Sequence, residues 1–302
     1  MSERSIFSNL IRQPDGAFSA VYGPFFLQSA LQPIFRERAD GQLRVAAFKG
    51  LIRASTAGLP CSPAEFFQAV PAEERAAVDG LCRGLHILNT GTLARSDVTL
   101  VVGFQPGLYD THQAMHQEEE RLRLCAHEAG MPLTAIACEI REHAHDDPAA
   151  MAQFTARLHE IGFSIAIDDY AGEDRDLERV ERLKPQFVTF DTPWLRSFAE
   201  DPAGLALLRV VVGQFAQKGI HTIVAGIEEP DMRDLCREMG GPLMQGYLLA
   251  RPELAPTTFN LTFPDKGGET GGMPADPLQE GLAPPAETHA ARPSRQFGRR
   301  GA

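Results

Sequence analysis

The chain alternates short apolar runs with longer amphipathic stretches, and this alternation limits the folds that it can adopt. The runs are rich in β-branched and aromatic residues, as are strands buried on both faces of a parallel sheet. The stretches between them have the apolar spacing of helices, and several begin at a proline, which is favoured at the first helical position. We predict strands at Phe25–Ile34, Leu43–Ile52, Val98–Phe104, Leu133–Ile140, Phe163–Ile167, Phe187–Phe190, His221–Ile227 and Met244–Leu249. We predict helices at Ala72–Ile87, His112–Ala129, Pro148–Ile161, Leu177–Leu183, Pro202–Gln217 and Pro230–Met239.

Strands that alternate with helices in this way form either a (β/α)8 barrel or a doubly wound sheet. The number of runs between residues 18 and 263 favours the barrel. We therefore assign the chain to the α/β class as a TIM-like barrel. We predict a poorly ordered leader at residues 1–17, the barrel domain at 18–263 and a disordered tail at 264–302, since the tail is rich in Gly and Pro and lacks apolar periodicity.

Composition narrows the partners and the compartment of the protein. With a formal net charge of −11, the chain does not present a general surface for nucleic acid or membrane. Its five cysteines show no Cys-x-x-Cys spacing, which indicates reduced thiols and not a disulfide framework or a zinc site. No apolar stretch has the length of a signal core or of a membrane span. We expect a cytoplasmic protein.

Acidic residues follow several predicted strands, at the end where parallel α/β folds place their chemistry. One run ends on the pair Asp168 and Asp169, and three others end on Glu139, Asp191 and Glu228. These residues could simply cap the following helices or face solvent. Alternatively, carboxylates that converge on one mouth of a barrel are held together by divalent cations, and two metals suit phosphodiester hydrolysis.

Seven short motifs follow one another along the chain: Gln32-Pro33-Ile34, Phe48-Lys49-Gly50-Leu51-Ile52-Arg53, Glu139-Ile140-Arg141-Glu142, Ile167-Asp168-Asp169-Tyr170, Val188-Thr189-Phe190-Asp191, Ala225-Gly226-Ile227-Glu228 and Gln245-Gly246-Tyr247. In order and spacing they resemble the EAL domain, over about residues 18–258. Members of that family are barrel phosphodiesterases that linearise cyclic di-GMP with Mg²⁺ or Mn²⁺. The resemblance implies a barrel in which one strand runs antiparallel to the others.

The resemblance also shows where this chain departs from active members of the family. Their Glu-Ala-Leu-x-Arg motif appears here as Lys49-Gly50-Leu51-Ile52-Arg53, so that Lys49 replaces a metal-binding Glu. Gly103 stands where an Asn ligand is expected, Thr189 where a catalytic Lys is expected, and Ala225 where a Glu is expected. Four metal-binding or catalytic positions are degenerate in this way.

Other motif positions are kept. The resemblance implies residual metal ligands at Glu139, Asp168 and Asp169. It implies contacts to a ligand at Gln32, Leu51, Arg53, Asp191, Glu228 and Gln245. Ligand number and geometry set the affinity of a metal site, so we expect the residual acids to be insufficient and no metal cofactor to bind.

We therefore expect a non-catalytic EAL-type signalling module that binds cyclic di-GMP or a protein partner. The sequence leaves a homodimer open. The alternative is a metal-dependent cyclic di-GMP phosphodiesterase with weak residual activity, and only then would Mg²⁺ or Mn²⁺ be required. Loss of the metals also removes cations that would face the ligand phosphates, which keeps a purely protein-binding role open.

Lys49 offers a way to hold an acidic mouth together without metals. We predict that its ammonium lies near Glu139 and Asp168 and offsets part of their mutual repulsion. In the alternative arrangement Lys49 points to solvent and the mouth is a decayed site.

Two histidine groups are weaker candidates for metal binding. The segment 142–147 has the spacing of transition-metal ligands, but its last two acids directly precede Pro148 and resemble a helix start. His112 and His116 are four residues apart beside several glutamates, which is typical of a solvated helix face.

Overall fold

Eight strands close into a barrel, and each of them overlaps one of the eight predicted apolar runs. The structure, a computed structural model, describes residues 9–109, 111–142 and 147–264. The strands of these residues are β1 (Leu10–Arg12), β2 (Phe18–Tyr22), β3 (Phe25–Glu37), β4 (Leu43–Thr56), β5 (Leu59–Cys61), β6 (Thr99–Phe104), β7 (Ile136–Ile140), β8 (Ser164–Tyr170), β9 (Phe187–Phe190), β10 (His221–Val224), β11 (Leu243–Met244) and β12 (Glu253–Leu254). Strands β3, β4 and β6 to β11 form the barrel, which closes where β11 pairs with β3. The predicted barrel is confirmed.

Strand β3 runs antiparallel to both of its barrel neighbours, β4 and β11. All other neighbouring barrel strands are parallel. The local cause is a tight turn after β3, in which the Arg38 amide donates to the Gln42 carbonyl at 2.9 Å and Gly41 has a φ of +78°. A turn this short can join only antiparallel strands, whereas the parallel pairs are joined by longer connections. The single antiparallel strand implied by the resemblance is therefore confirmed.

The helices of the described residues are α1 (Pro63–Ala69), α2 (Arg75–Gly91), α3 (His112–Glu128), α4 (Pro148–Ile161), α5 (Asp174–Leu183), α6 (Thr192–Ala199), α7 (Pro202–Gln217), α8 (Pro230–Glu238) and α9 (Phe259–Thr262). The six predicted helices correspond to α2 to α5, α7 and α8. Helices α4 and α7 begin at a proline behind an aspartate cap, Asp147 and Asp201, which the proline signal had indicated. The sequence reading missed α1, α6 and α9, which span eight residues or fewer.

The N-terminal region contains more structure than the sequence suggested. Leu10–Arg12 pair antiparallel with Phe18–Ala20 of β2, so this part of the predicted leader is a strand and not poorly ordered chain. Two adjacent apolar residues are too few to show the alternation that identifies a strand. The predicted tail lies outside the described residues from position 265 onward. Among the described residues, no helix has the length and apolarity needed to cross a membrane.

One residue from each barrel strand contributes to a separate apolar cluster, which we call the floor ring. Its members are Ile34, Ala47, Val101, Ala137, Ala166, Phe187, Ile223 and Leu243. None is more than 5% exposed, as expected for side chains that fill the interior of a small barrel. Side chains alternate between the two faces of a strand, so the residue two positions further along faces the interior again. The floor ring therefore fixes which residues reach the mouth of the barrel.

A buried arginine joins helices α2 and α3 on the outside of the barrel. Arg83 is 2% exposed, and its Nη2 lies 2.7 Å from Oε1 of Glu118. It also pairs with Asp79 and donates to the Tyr109 hydroxyl. Its guanidinium lies 4.0 Å from the centroid of the Phe104 ring. We call Arg83, Asp79, Glu118 and Tyr109 the wall cluster.

Candidate functional site

The candidate site is the next ring of inward-facing residues, on the carboxyl side of the floor ring. Two positions beyond each floor residue, or two before it on the antiparallel strand β3, lie Gln32, Lys49, Gly103, Glu139, Asp168, Thr189, Ala225 and Gln245. We call this set the mouth ring. It contains all four metal-binding or catalytic positions that are degenerate in this chain. The strand period therefore explains why motifs far apart in the sequence meet at one place.

Lys49 bridges the two acids of the mouth ring, as predicted. Its Nζ lies 2.8 Å from Oε1 of Glu139 and 2.9 Å from Oδ2 of Asp168. The Glu139 side chain is 2% exposed, whereas those of Lys49 and Asp168 are 19% and 32% exposed. We call these three residues the mouth cluster. Its cation is supplied by the chain itself.

The charges of the mouth cluster depend on one another. Burial lowers the pKa of Lys49, but the attraction of Glu139 and Asp168 outweighs burial and raises that pKa above its ordinary value. Burial raises the pKa of Glu139, and Lys49 opposes this shift. Because an ammonium between two carboxylates keeps its proton, we assign the positive charge to Lys49 at neutral pH.

A second cation lies beside Glu139, next to the position where the side chain of residue 103 is missing. An ideal Cβ on Gly103 would lie 2.9 Å from Nη2 of Arg141. The same Nη2 is 4.0 Å from Oε2 of Glu139. The guanidinium thus occupies space that a larger residue at position 103 would take. Glu139 has Lys49 near one carboxylate oxygen and Arg141 near the other.

Gly50 is matched to a buried histidine on helix α2. A Cβ on Gly50 would lie 2.7 Å from Cγ of His86, closer than real side chains approach. His86 is 5% exposed, and its Nδ1 is 2.7 Å from the Ser29 hydroxyl. Burial, together with the charges of Arg83 and Arg53, lowers the pKa of His86 to about 3. The neutral ring therefore fills the space that the glycine leaves.

A cavity of about 350 Å³ lies beside Lys49, which is one of its lining residues. Its walls include the amide pair Gln32 and Gln245, in which Nε2 of Gln245 donates to Oε1 of Gln32 at 2.9 Å. Both amides are buried, whereas the Tyr247 ring at the edge is half exposed. The residues that line the cavity are Gln32, Lys49, Leu51, Ala225, Gly226, Glu228, Gln245, Gly246 and Tyr247. Five of the predicted positions with ligand or catalytic roles thus meet Lys49 around one cavity.

Other predicted residues lie near the mouth without lining this cavity. Arg53 is exposed, and its Nη1 donates to the Ile52 carbonyl at 3.0 Å. Asp191 caps helix α6, since its Oδ1 accepts from the Trp194 amide at 2.7 Å. Asp169 has a φ of +58°. Burial and the nearby carboxylates raise the pKa of Asp169.

The histidine candidates gain no support as metal sites. Residues 143–146 of the first candidate lie outside the described residues, as does the side chain of His112. The His116 side chain is 62% exposed and lies 3.7 Å from Glu119, which fits the expected solvated face. Within the described ranges, no group of three or more His, Cys, Asp and Glu side chains is arranged to hold a metal ion.

Sequence reasoning missed two contributors to the mouth. Arg141 is a single arginine directly after β7, and such a residue gives no sequence signal for a role at the mouth. Arg179 of helix α5 was not singled out, yet its Nε lies 2.9 Å from Oε2 of Glu142, and its Nη1 lies 3.3 Å from the Asp168 carbonyl. The position of an arginine on α5 becomes informative only when the helix is placed beside β8.

Residues 27–252 match the EAL domain, and the chain belongs to this family. Among curated proteins, it is 28% identical over 123 residues to the cyclic di-GMP phosphodiesterase RocR of Pseudomonas aeruginosa, covering 40% of this chain and 31% of that protein. It is 25% identical over 183 residues to the probable cyclic di-GMP phosphodiesterase PdeN of Escherichia coli, covering 60% of this chain and 35% of that protein. The chain spans at most about a third of the length of these relatives.

Solved structures of EAL proteins share the fold. The chain is 26% identical, with a TM-score of 0.63, to Klebsiella pneumoniae BlrP1 in a complex with calcium and cyclic di-GMP, covering 77% of this chain and 56% of that one. It is 25% identical, with a TM-score of 0.59, to BlrP1 with FMN and cyclic di-GMP and no metal ions, covering 77% of this chain and 54% of that one. The Bacillus subtilis YkuI protein has the same fold, with 21% identity and a TM-score of 0.61. That match covers 75% of this chain and 55% of YkuI.

Proposed function

We propose that this EAL domain binds cyclic di-GMP at the barrel mouth without a metal and without hydrolysing it. The observation that carries the proposal is the position of the Lys49 ammonium, 2.8 Å from Glu139 and 2.9 Å from Asp168. A positive side chain held between these carboxylates takes the oxygen atoms that a divalent cation would need. In this proposal Lys49 performs the electrostatic part of a metal's role and none of its catalytic part.

The remaining donors at the mouth do not suit Mg²⁺ or Mn²⁺. Such ions take about six oxygen ligands and bind through carboxylates, carbonyls and water. Gly103 and Ala225 offer no side-chain oxygen, and Arg141 adds positive charge beside Glu139. Positions 189 and 225 hold Thr189 and Ala225 in place of the Lys and the Glu that the family resemblance implies for positioning a water. General acid–base help of this kind contributes about 10²–10⁴-fold in rate. The donor set and the charges therefore favour binding over hydrolysis.

The walls of the cavity offer contacts suited to a cyclic dinucleotide. Gln32 and Gln245 present amide groups that can pair with polar edges of a base, and the half-exposed Tyr247 ring can stack on one. Arg53 and Arg141 do not line the cavity, but they are exposed guanidinium groups that can make charge-assisted hydrogen bonds to phosphate. Support also comes from the relative BlrP1, for which a cyclic di-GMP complex without metal ions is known.

A weak metal-dependent phosphodiesterase is the second candidate, because RocR is named a cyclic di-GMP phosphodiesterase and PdeN a probable one. Calorimetric titration of the full chain with cyclic di-GMP, first in EDTA and then in Mg²⁺ or Mn²⁺, separates the two candidates. Chromatography of the same mixtures measures linear pGpG. We expect equal affinity in all conditions and no pGpG above background.

Two variants connect the binding to the mouth. Arg53→Ala and Arg141→Ala should each weaken binding about tenfold, the effect of losing one charge-assisted hydrogen bond to phosphate. Arg123→Ala removes an exposed arginine of helix α3 and should leave the affinity unchanged. Metal-dependent pGpG formation that Asp168→Asn abolishes would establish the enzymatic candidate. Absence of binding in every condition would contradict both candidates and would leave a protein partner as the ligand of this domain.

A further inference from the structure

A second cavity, of about 540 Å³, lies at the opposite end of the barrel. It is bounded by the turn between β3 and β4, by the first residues of β4, by Arg233 of helix α8 and by Thr262–Pro264. Leu43 at this cavity and Lys49 at the mouth are on the same strand, and at 3.3 Å per residue they are roughly 20 Å apart. We call it the basal cavity. Its volume is that of a small-molecule site, and it shares no lining residue with the mouth cavity.

Four arginines line the basal cavity: Arg38, Arg44, Arg95 and Arg233. No Asp or Glu is among its described lining residues. Carboxylates behind the wall neutralise part of this charge, since Arg44 pairs with Asp97, and Arg233 shares Glu37 with Arg237. Arg38 is exposed and has no ion pair among the described residues. A concentration of positive charge is distinctive in a chain whose net charge is −11.

The arginines of the basal cavity also have unused hydrogen-bond donors. The Nε atoms of Arg44 and Arg233 are buried and have no hydrogen-bond partner among the described residues. A buried donor without an acceptor is unfavourable, because it has lost water and gained nothing in exchange. An oxygen-rich anion in the cavity would meet the exposed Arg38 guanidinium directly, and guanidinium groups bind phosphate with two parallel hydrogen bonds. The buried Nε atoms of Arg44 and Arg233 would reach the anion only if those side chains turned towards the cavity.

We propose that the basal cavity binds a phosphate ester of mononucleotide size. The arginines account for the phosphate, and the half-buried side chains of Leu43 and Phe263 supply an apolar wall beside it. An inorganic ion would use only the arginines, whereas a phosphate ester would also cover this wall. The proposal is independent of cyclic di-GMP binding at the mouth, because the two cavities share no residues.

The test is calorimetric titration of the full chain with AMP and, separately, with inorganic phosphate, at a fixed ionic strength set with chloride. We expect AMP to bind at least tenfold more tightly than phosphate. Arg38→Ala should weaken AMP binding about tenfold, and Arg38→Glu should abolish it. Arg38 is exposed, so neither variant should alter the thermal unfolding temperature by more than a degree or two.

Two control variants locate the site. Arg53→Ala, at the mouth, and Arg123→Ala, on helix α3, should leave AMP binding unchanged. The proposal is overturned if the wild-type chain does not bind AMP, or if Arg38→Glu binds it as tightly as the wild type does. Binding of AMP that is no tighter than binding of phosphate would overturn the assignment of a phosphate ester. Loss of AMP binding in Arg53→Ala would place the nucleotide at the mouth and likewise overturn it.

Discussion

The mouth cluster and the wall cluster are both a cation held between two carboxylates, but they differ in burial and in geometry. In the wall cluster, Arg83 is 2% exposed and spreads its donors over two acids and a phenol. In the mouth cluster, Lys49 is a point charge and Asp168 is 32% exposed. The wall cluster has its hydrogen bonds satisfied inside the protein, which is how buried charges persist in stable folds. The mouth cluster remains open to a ligand.

The comparison shows that burial of charge does not by itself mark a functional site. Arg83 is the more deeply buried cation, yet it lines neither the mouth cavity nor the basal cavity. Lys49 is less buried and lines a cavity. Access of solvent to a charged group therefore separates the two clusters better than the depth of burial.

The largest effect should follow from removing the wall cation. Arg83→Met keeps most of the side-chain volume but leaves the carboxylate of Glu118 buried with only Arg121, at 3.6 Å, as a cationic partner. Breaking a buried pair in this way costs about 3–5 kcal/mol, so urea denaturation should show a loss of that size in the free energy of unfolding. Arg123→Ala breaks only an exposed pair with Glu120 and should change stability by less than about 1 kcal/mol. A loss for Arg83→Met as small as that of this control would mean that the wall cluster contributes no stability.

Removing the mouth cation should have a smaller effect that depends on metal. Lys49→Ala should lower the free energy of unfolding by about 1–3 kcal/mol, because Glu139 loses its closest partner. Lys49→Glu should lose more in EDTA, since it adds a third carboxylate, and should recover part of the loss in Mg²⁺. The same urea experiment, with and without Mg²⁺, measures both changes.

This pair of variants can refute the internal-cation idea. If Lys49→Ala costs no stability and Lys49→Glu shows no response to Mg²⁺, the ammonium does not offset the repulsion between Glu139 and Asp168. The wild-type chain serves as the reference, and its stability should not respond to Mg²⁺.

The smallest effect concerns His86, which packs against Gly50 and is on the same helix as Arg83. Its pKa is about 3 in the folded chain and is 6.5 without the effect of the fold. Between these values the unfolded chain binds more protons, so the free energy of unfolding decreases as the pH falls from 6.5 towards 3. The slope contributed by this group is at most about 1.4 kcal/mol per pH unit. Urea denaturation at pH 7.0, 6.0 and 5.0 should show this decrease, and His86→Asn should reduce it; equal slopes would exclude His86 as its source.

The barrel was predictable because its strands are buried on both faces. Mostly apolar runs such as Phe187–Phe190, in which every residue is buried, stand out from their surroundings. The run Met244–Leu249 was extended too far, because only Leu243–Met244 is strand, and Tyr247 and Leu248 are half exposed at the mouth. The apolar side chains of Tyr247 and Leu248 therefore lie at the surface and not in a sheet. Helix α6 escaped detection because an eight-residue helix contains barely two turns of periodic pattern.

The mouth ring was largely predictable from the motifs, whereas its internal contacts were not. Lys49 could be placed near Glu139 and Asp168 because each occupies a motif position at a strand end. The approach of Arg141 to Gly103 and the fit of His86 against Gly50 depend on how neighbouring strands and helices pack. Such contacts join residues that no local pattern relates, so they require the three-dimensional structure.

The fit of His86 against Gly50 determines the order in which this site could be converted back to the motif of its active relatives. An alanine at position 50 would bring its Cβ to 2.7 Å from Cγ of His86, an atom fixed in the core. A side chain at position 103, by contrast, meets only the end of Arg141, which is 61% exposed and free to swing aside. An engineer can therefore refill position 103 in one step but must first replace His86 before restoring position 50. Because of His86, the change from Ala to Gly at position 50 is harder to reverse than the change at position 103.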